Sequence, residues 1–186
     1  MKATVIFEEG DSQLIYLPDF AINQTIDQLL HEIQLRQNHI TVFGQTHLEP
    51  RLTAWYGPPY RYANVQWDGQ KMPFHIEELT SQVKSACNFD FNAVLINYYR
   101  NGDDSMGWHR DNEKELDHQT IASLSFGGTR TFKIRNRATK ATLNLELEHG
   151  SLLIMQNMQT DYEHALPKRR KLNQARLNLT FRRIRS

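Results

Sequence analysis

Apolar and polar positions along this chain change rhythm near residue 91. Before that point, short alternating runs are mixed with helical periodicity. The stretches "KATVIFEEG" and "QLIYLPDF" read as two strands broken by a turn. Ile26, Leu29, Leu30 and Ile33 then recur at the spacing of one buried helix face, which predicts a helix from about Asn23 to Arg36. In "NHITVFGQTHLEPRLTAWYGPPYRY", β-branched and aromatic residues mix with Gly and Pro, predicting short strands and exposed turns. Pro73 can open a second helix, with Ile76, Leu79, Val83 and Cys87 on its buried face.

From Phe91 onward the period is that of β-structure. "FNAVLINYY", "TIASLSFGG", "TRTFKIRN", "ATLNLELEHG", "SLLIMQ" and "RLNLTFRRI" are successive strand candidates, separated by polar or glycine-containing turns. The expected fold is mainly β with N-terminal helices, closed as a sandwich or jelly roll. No internal repeat, low-complexity segment or linker interrupts the chain. Residues 1–186 are therefore expected to form a single domain, and the change near residue 91 is an architectural transition.

Composition narrows the picture modestly. A length of 186 residues and 39% hydrophobic content support one sizeable core. A single cysteine, Cys87, excludes an internal disulfide framework and any cysteine-rich metal site, and reads as a small buried residue. No apolar stretch approaches a membrane span and no secretory leader is evident, so a cytoplasmic protein with no membrane partner is expected, as a monomer. The formal net charge is only +1, yet eight Lys/Arg face two acids between Asp161 and Ser186. Such a tail suits an electropositive surface, although solubility explains much of it equally well.

The chemistry-bearing stretch is "MGWHRDNE", Met106 to Glu113. His109 and Asp111 are two residues apart, so on an extended strand they share a face. A pair of ligands is not yet a site. His164, in "DYEHALP", would complete two histidines and one carboxylate, the facial set that leaves positions open on non-haem Fe(II). Zinc tolerates the same ligands, so the triad alone does not choose the chemistry. His31, His39, His47, His75, His118 and His149 are more cheaply read as surface or core residues.

The last strand weighs against a zinc hydrolase. In "ARLNLTFRR", Arg176, Asn178, Thr180 and Arg182 share one face, and Leu177, Leu179 and Phe181 share the other. This is either the polar outer face of an edge strand or a pair of arginines set to grip a dicarboxylate. Asn97 and Tyr99 in "INYY" add a second alternating polar pair. Together with the triad they describe iron plus a carboxylate-bearing cosubstrate.

At these residues the chain resembles the AlkB family of Fe(II)/2-oxoglutarate-dependent dioxygenases, in particular its DNA-repair branch. The resemblance rests on "NYYRNGDDSMGWHRDNE", "IASLSFGGTRTFKIR", "HGSLLIM", "YEHALPK" and "RLNLTFR" in that order, and covers nearly all of residues 15–185. It implies a double-stranded β-helix over about residues 91–186, with about residues 1–90 supplying substrate recognition and helical support. It implies His109, Asp111 and His164 as iron ligands. Arg176 would pair with the distal carboxylate of 2-oxoglutarate, assisted by Tyr99. Arg182 would face the carboxylate beside the keto group, with Asn97 and Asn178 around it. The implied reaction couples oxidation of 2-oxoglutarate by molecular oxygen, to succinate and carbon dioxide, to hydroxylation of an N-methyl group on a damaged base. The product then releases formaldehyde.

A base inside a duplex must be extruded before such chemistry. Val42, Phe43 and Gly44 in "VFGQ" suit an apolar wedge, or alternatively a hairpin tip packed into the core. The same order of Val-Phe-Gly before "PRLTAWYG" in the resembling branch favours the wedge. The resemblance also places Tyr56, Tyr60, Tyr62 and Trp67 among the candidates for lesion stacking, with Trp55 as an alternative core residue. Glu113, just beyond the His109–Asp111 pair, is an acid that supports the metal ligands or faces the lesion, or else a solvated turn residue. Arg110 and Lys168 to Lys171 are candidate phosphate contacts, and Arg51 either joins them or braces its loop. The expected substrates are 1-methyladenine and 3-methylcytosine in duplex or single-stranded DNA. The alternatives are RNA, protein or a small molecule as substrate, or a nucleic-acid-binding jelly roll without catalysis.

Overall fold

The computed structural model describes residues 2–42, 45–62 and 65–185. The amino-terminal half contains β1 (Thr4–Glu9), β2 (Ser12–Leu17), α1 (Ile26–Leu30), β3 (His39–Val42), β4 (Gln45–Leu48) and β5 (Leu52–Tyr56). After β6 (Tyr60–Tyr62), β7 (Val65–Trp67) and α2 (Phe74–Cys87) come β8 (Ala93–Tyr99), β9 (Met106–His109) and β10 (Thr120–Gly127). The chain closes with β11 (Arg130–Asn136), β12 (Thr142–Leu147), β13 (Leu152–Gln156), β14 (Tyr162–Leu166) and β15 (Arg176–Arg182).

Two antiparallel sheets face each other as a jelly roll. The larger has seven strands in the order β1-β2-β13-β10-β15-β8-β5, and the smaller has four in the order β12-β11-β14-β9. From β8 to β15 the chain passes repeatedly between them, which is how sequence-distant segments come to face one interior. β1, β2 and β5 hydrogen-bond into the same large sheet, so the amino-terminal half contributes to this wall. Among the described residues, no helix is long and apolar enough to cross a membrane.

Alternation decides which side of the large sheet each residue meets. Leu177, Leu179 and Phe181 of β15 join Val94 and Ile96 of β8 on the outer side, where Leu29, Ile76, Leu79 and Val83 cover them. The inner side meets the small sheet through Ile121, Phe132, Leu153 and Met155. A fully buried leucine or phenylalanine is worth about 1.5–3 kcal/mol, so the helix layer fixes β15 firmly. β15 is central and all seven of its residues are buried, so its polar face is no solvated edge.

The first helix is shorter than its periodicity predicts. Thr25 caps α1 through a capping box with Gln28, but the helix stops at Leu30. Beyond it, Arg36 exchanges both backbone hydrogen bonds with Thr53 at 2.9 and 2.8 Å, drawing the chain out along β5. Ile33 still reaches the core from this irregular segment. Tertiary pairing here overrides helical propensity. Pro73 is the N-cap of α2, and Asn88 ends it at φ 47°, a left-handed conformation that asparagine tolerates. Cys87 is half-buried, and burial pushes its thiol up to about 12, leaving it protonated and inert.

One glycine positions the basic segment after β14. Gly102 N–H donates to the Leu172 carbonyl and its own carbonyl accepts from Arg169 N–H, both at 2.7 Å. A Cβ at this position would lie 1.8 Å from the Arg169 carbonyl oxygen. Gly102→Ala is therefore expected to cost about 1–3 kcal/mol through forced backbone displacement, and to loosen residues 168–172. Thermal melting and amide exchange across 168–172 check both effects.

Candidate metal centre and cosubstrate pocket

His109 and His164 meet because β9 and β14 pair antiparallel with these two residues in register. Their ring centroids are 4.2 Å apart. Asp111 follows two residues later, just past the end of β9, and its backbone N–H donates to Gln159 Oε1 at 3.1 Å. One ligand atom from each of His109, Asp111 and His164 falls within 4.8 Å of the others. Neither β9 nor β14 stands out in the alternation pattern, because β9 is only four residues long and polar at its end.

The donor chemistry suits a divalent ion. His109 Nδ1 lies 2.9 Å from the Gly107 carbonyl, which favours a proton on Nδ1 and leaves the Nε2 lone pair for a metal. Burial, with His109 and Arg182 nearby, pushes His164 down to about 3, so its ring is neutral at physiological pH. Burial alone would raise Asp111, but the charge of Arg182, with the two histidines, outweighs it and holds the carboxylate below its usual range. Arg182 hydrogen-bonds Asp111 Oδ1 directly. Two neutral imidazoles and one ionised carboxylate are thus ready to coordinate without first losing a proton.

Beside the triad lies a cavity whose polar walls include Asn97, Tyr99, Arg176, Asn178 and Arg182. Arg176 and Arg182 are six residues apart, about 20 Å along an extended strand, so their long side chains must lean inward to share it. Arg176 is only 2% exposed. Its Nη2 donates to Ser125 Oγ at 2.8 Å, while its Nε has no hydrogen-bond partner among the described residues. Burial lowers Arg176 to about 10, which still leaves it charged at neutral pH. No carboxylate of the described residues pairs with it. A buried guanidinium without a counter-charge is costly, and an incoming carboxylate removes that cost.

Residues 13–182 match the 2OG-Fe(II) oxygenase superfamily. The chain is 36% identical over 193 residues to alpha-ketoglutarate-dependent dioxygenase alkB homolog 3 of Mus musculus, covering 94% of this chain and 67% of that one. It belongs to the AlkB family of these oxygenases. Identity to DNA oxidative demethylase ALKBH2 of Homo sapiens is 35% over 178 residues, covering 85% of this chain and 68% of the relative. The solved structure of OsALKBH1 shares the fold at a TM-score of 0.67 and 16% identity, with 97% of this chain and 100% of that one covered.

As an AlkB-family protein the chain uses Fe(II) and 2-oxoglutarate, and the donor set of the triad and the buried charge of Arg176 suit them chemically. The remaining expected residues divide into those that line the cavity and those that do not. Asn178 lines it, but its Nδ2 is committed to Ser123 Oγ at 2.8 Å and the Leu124 carbonyl at 3.0 Å. Glu113 is half-buried near Tyr60 and Asp111, where burial raises its carboxyl against the pull of Arg182. Tyr60 stacks on Trp55, with ring centroids 4.5 Å apart, in a cluster that includes Trp67.

Two expectations on the substrate side, Tyr56 and Arg51, meet a different arrangement, and a third, Arg110, stays available. Tyr56 lies in the core on the helix side of the sheet, its hydroxyl accepting from Gln34 N–H at 3.1 Å, and so cannot stack on a base. Arg51 is 5% exposed and ion-paired with Glu49 at 3.0 Å, which withdraws it from phosphates and leaves the bracing role. Arg110 reaches the Gln159 and Thr160 carbonyls at 3.4 Å, a loose contact that leaves it half-buried. Phe43 and Gly44 lie outside the described residues; Val42 ends β3, which pairs with β4. Ser123, Ser125 and Gln159 were not singled out by sequence reasoning. The two serines alternate with apolar residues in β10, and that period was the available signal. Gln159 carries none.

Proposed function

We propose that this chain removes N-linked methyl groups from alkylated DNA bases, with 1-methyladenine and 3-methylcytosine as its substrates. The observation that carries the proposal is the buried Arg176, without a carboxylate partner among the described residues, sharing one cavity with the His109–Asp111–His164 triad. Its similarity to relatives named for DNA demethylation supports the nucleic-acid substrate.

Iron bound with 2-oxoglutarate and molecular oxygen supplies oxidation of the methyl C–H bond to an N-hydroxymethyl group, which breaks down to formaldehyde and the restored base. This chain's residues bind, orient and exclude. His109, Asp111 and His164 would hold the metal. Arg176 receives the distal carboxylate, with Tyr99 beside it at 5.6 Å from the guanidinium to the ring centroid. Arg182 holds Asp111 on one side and offers positive charge to the cosubstrate's other end. Phe132, Met155 and Leu166 close the cavity with apolar surface that keeps water from the reacting centre.

Glu113 is the candidate lesion-facing group, with Tyr60 behind it; Trp55 is only 1% exposed and belongs to the core. Tyr60 hydrogen-bonds Glu113, which stands two residues beyond Asp111. A base carrying the positive charge of 1-methyladenine or 3-methylcytosine suits a site with a carboxylate beside it. RNA bearing the same lesions presents the same Watson–Crick edge and is the second substrate to test.

Purified protein with Fe(II), ascorbate and 2-oxoglutarate is expected to remove one methyl mass from methylated oligonucleotides and to require each component. Intact lesion after prolonged incubation contradicts the proposal. Parallel single-stranded DNA, duplex DNA and RNA substrates order the preferences. Phe43→Ala is expected to lower turnover on duplex about tenfold while single strands are spared, because unstacking a paired base costs a few kcal/mol. Equal retention on both removes the wedge role.

A further inference from the structure

The root of the β3–β4 hairpin and the cosubstrate pocket are joined by one buried hydrogen-bond network. Its centre is the Glu49–Arg51 ion pair, with the two residues 3% and 5% exposed. Glu49 Oε2 accepts from Asn38 Nδ2 at 3.2 Å and Thr53 Oγ1 at 3.3 Å, and its Oε1 accepts from Arg51 Nη2 at 3.0 Å. Glu49 N–H donates to the Asn38 carbonyl at 2.8 Å, and the Glu49 carbonyl accepts from Gln37 Nε2 at 2.7 Å. Both ends of the hairpin, before His39 and after Leu48, are thereby locked to one carboxylate-bearing residue.

The other end of the network reaches the cavity. Arg51 Nε donates to Asn97 Oδ1 at 2.7 Å. A guanidinium has donors only, so the Asn97 carboxamide must turn its oxygen to Arg51. That leaves the two Nδ2 hydrogens for the cavity that Asn97 lines. Turned the other way, the same side chain would present an acceptor to an anionic ligand, which is repulsive.

We propose that the Glu49–Arg51 pair is a positioning unit that orients Asn97 toward the cosubstrate and ties cosubstrate binding to the root of the β3–β4 hairpin. The inference rests on 2-oxoglutarate occupying the cavity between Arg176 and Arg182. Arg51 acts through Asn97, and Glu49 carries the coupling outward to Asn38. Neither residue meets nucleic acid. Binding of 2-oxoglutarate then stiffens the root of the hairpin at Asn38 and Glu49.

Arg51→Lys separates this from a simple charge effect. Lysine keeps the ion pair with Glu49, but one ammonium cannot also serve Asn97 in the geometry of the guanidinium fork. Calorimetry with Mn(II)-loaded protein is expected to show 2-oxoglutarate binding weakened about tenfold, the size of one charge-assisted hydrogen bond, with Mn(II) affinity unchanged. In an Asn97→Ala background the same substitution is expected to change affinity less than about twofold, because its route is already gone. Unchanged affinity in Arg51→Lys, or a full loss persisting in the Asn97→Ala background, overturns the proposal. Hydrogen exchange supplies an independent readout. 2-Oxoglutarate is expected to slow amide exchange at Glu49 and neighbouring hairpin positions in the parent protein. That protection is expected to vanish in Glu49→Gln, which puts an amide donor against Asn38 while preserving volume. No protection in the parent protein also overturns it. Failure of 2-oxoglutarate to bind the parent at all would instead count against the reading on which the inference rests.

Discussion

Asp111→Ala is expected to abolish methyl removal by abolishing metal retention. Asp111 is the anionic member of the triad, and loss of even an outer-shell partner typically costs about 10–100-fold in metal affinity, so losing this ligand costs more. The substitution also removes one buried, charged partner of Arg182. Removing one half of a buried pair destabilises by about 3–5 kcal/mol, so the fold itself is expected to weaken. Asp111→Asn separates the two effects, because an amide oxygen can still accept from Arg182 while binding metal poorly. Metal titration with thermal melting in parallel is the check. Asp111→Asn should melt close to the parent and still fail to hold Mn(II). Retained metal-dependent turnover in either variant contradicts the ligand assignment.

The second large effect concerns the cosubstrate alone. Arg176→Met is expected to raise the 2-oxoglutarate KM by about 100-fold or more while leaving metal binding near that of the parent. Truncating one partner of a buried charge pair costs about 2–5 kcal/mol, which corresponds to about 30-fold to several thousand-fold in affinity. Methionine fills similar volume without the charge, and it also removes the burial penalty of an unpaired cation. The empty protein is therefore expected to be at least as stable as the parent, although its cosubstrate affinity collapses. Arg176→Lys should fall between them, since a point charge replaces a planar fork. An unchanged KM in Arg176→Met places the distal carboxylate elsewhere.

The two effects are expected to separate because the two proposed ligand sets lie on different sheets. His109 and His164 belong to the small sheet, whereas Arg176 and Arg182 stand on a central strand of the large one. Relative placement of the two sheets thus fixes the distance between metal and carboxylate grips, and the apolar interior that holds the sheets together is part of the site.

Much of this is legible in the chain before any coordinates are seen, for particular physical reasons. β15 alternates strictly between apolar and polar residues, so its two faces can be read directly, and the burial of Leu177, Leu179 and Phe181 forces Arg176 and Arg182 inward. The pairing of β9 with β14 is not legible. It joins residues about fifty positions apart through two short strands, and only register places His109 opposite His164. Local periodicity extends α1 too far because Arg36 has a backbone partner in Thr53 that no local pattern reveals. Arg51 and Tyr56 mislead for a related reason. Each has the side chain expected of a nucleic-acid contact, but Glu49 and the backbone of Gln34 claim them inside the fold. Residue type states what a side chain can do, whereas burial and partners decide whether it is available to do it.

The most direct measurement is anomalous diffraction from crystals grown with Mn(II) and 2-oxoglutarate. One peak is expected within about 2.0–2.3 Å of His109, Asp111 and His164 together, with cosubstrate density running from that peak to the Arg176 guanidinium. A peak bound to other residues, or density that leaves Arg176 without a carboxylate partner, would contradict the shared iron and 2-oxoglutarate site.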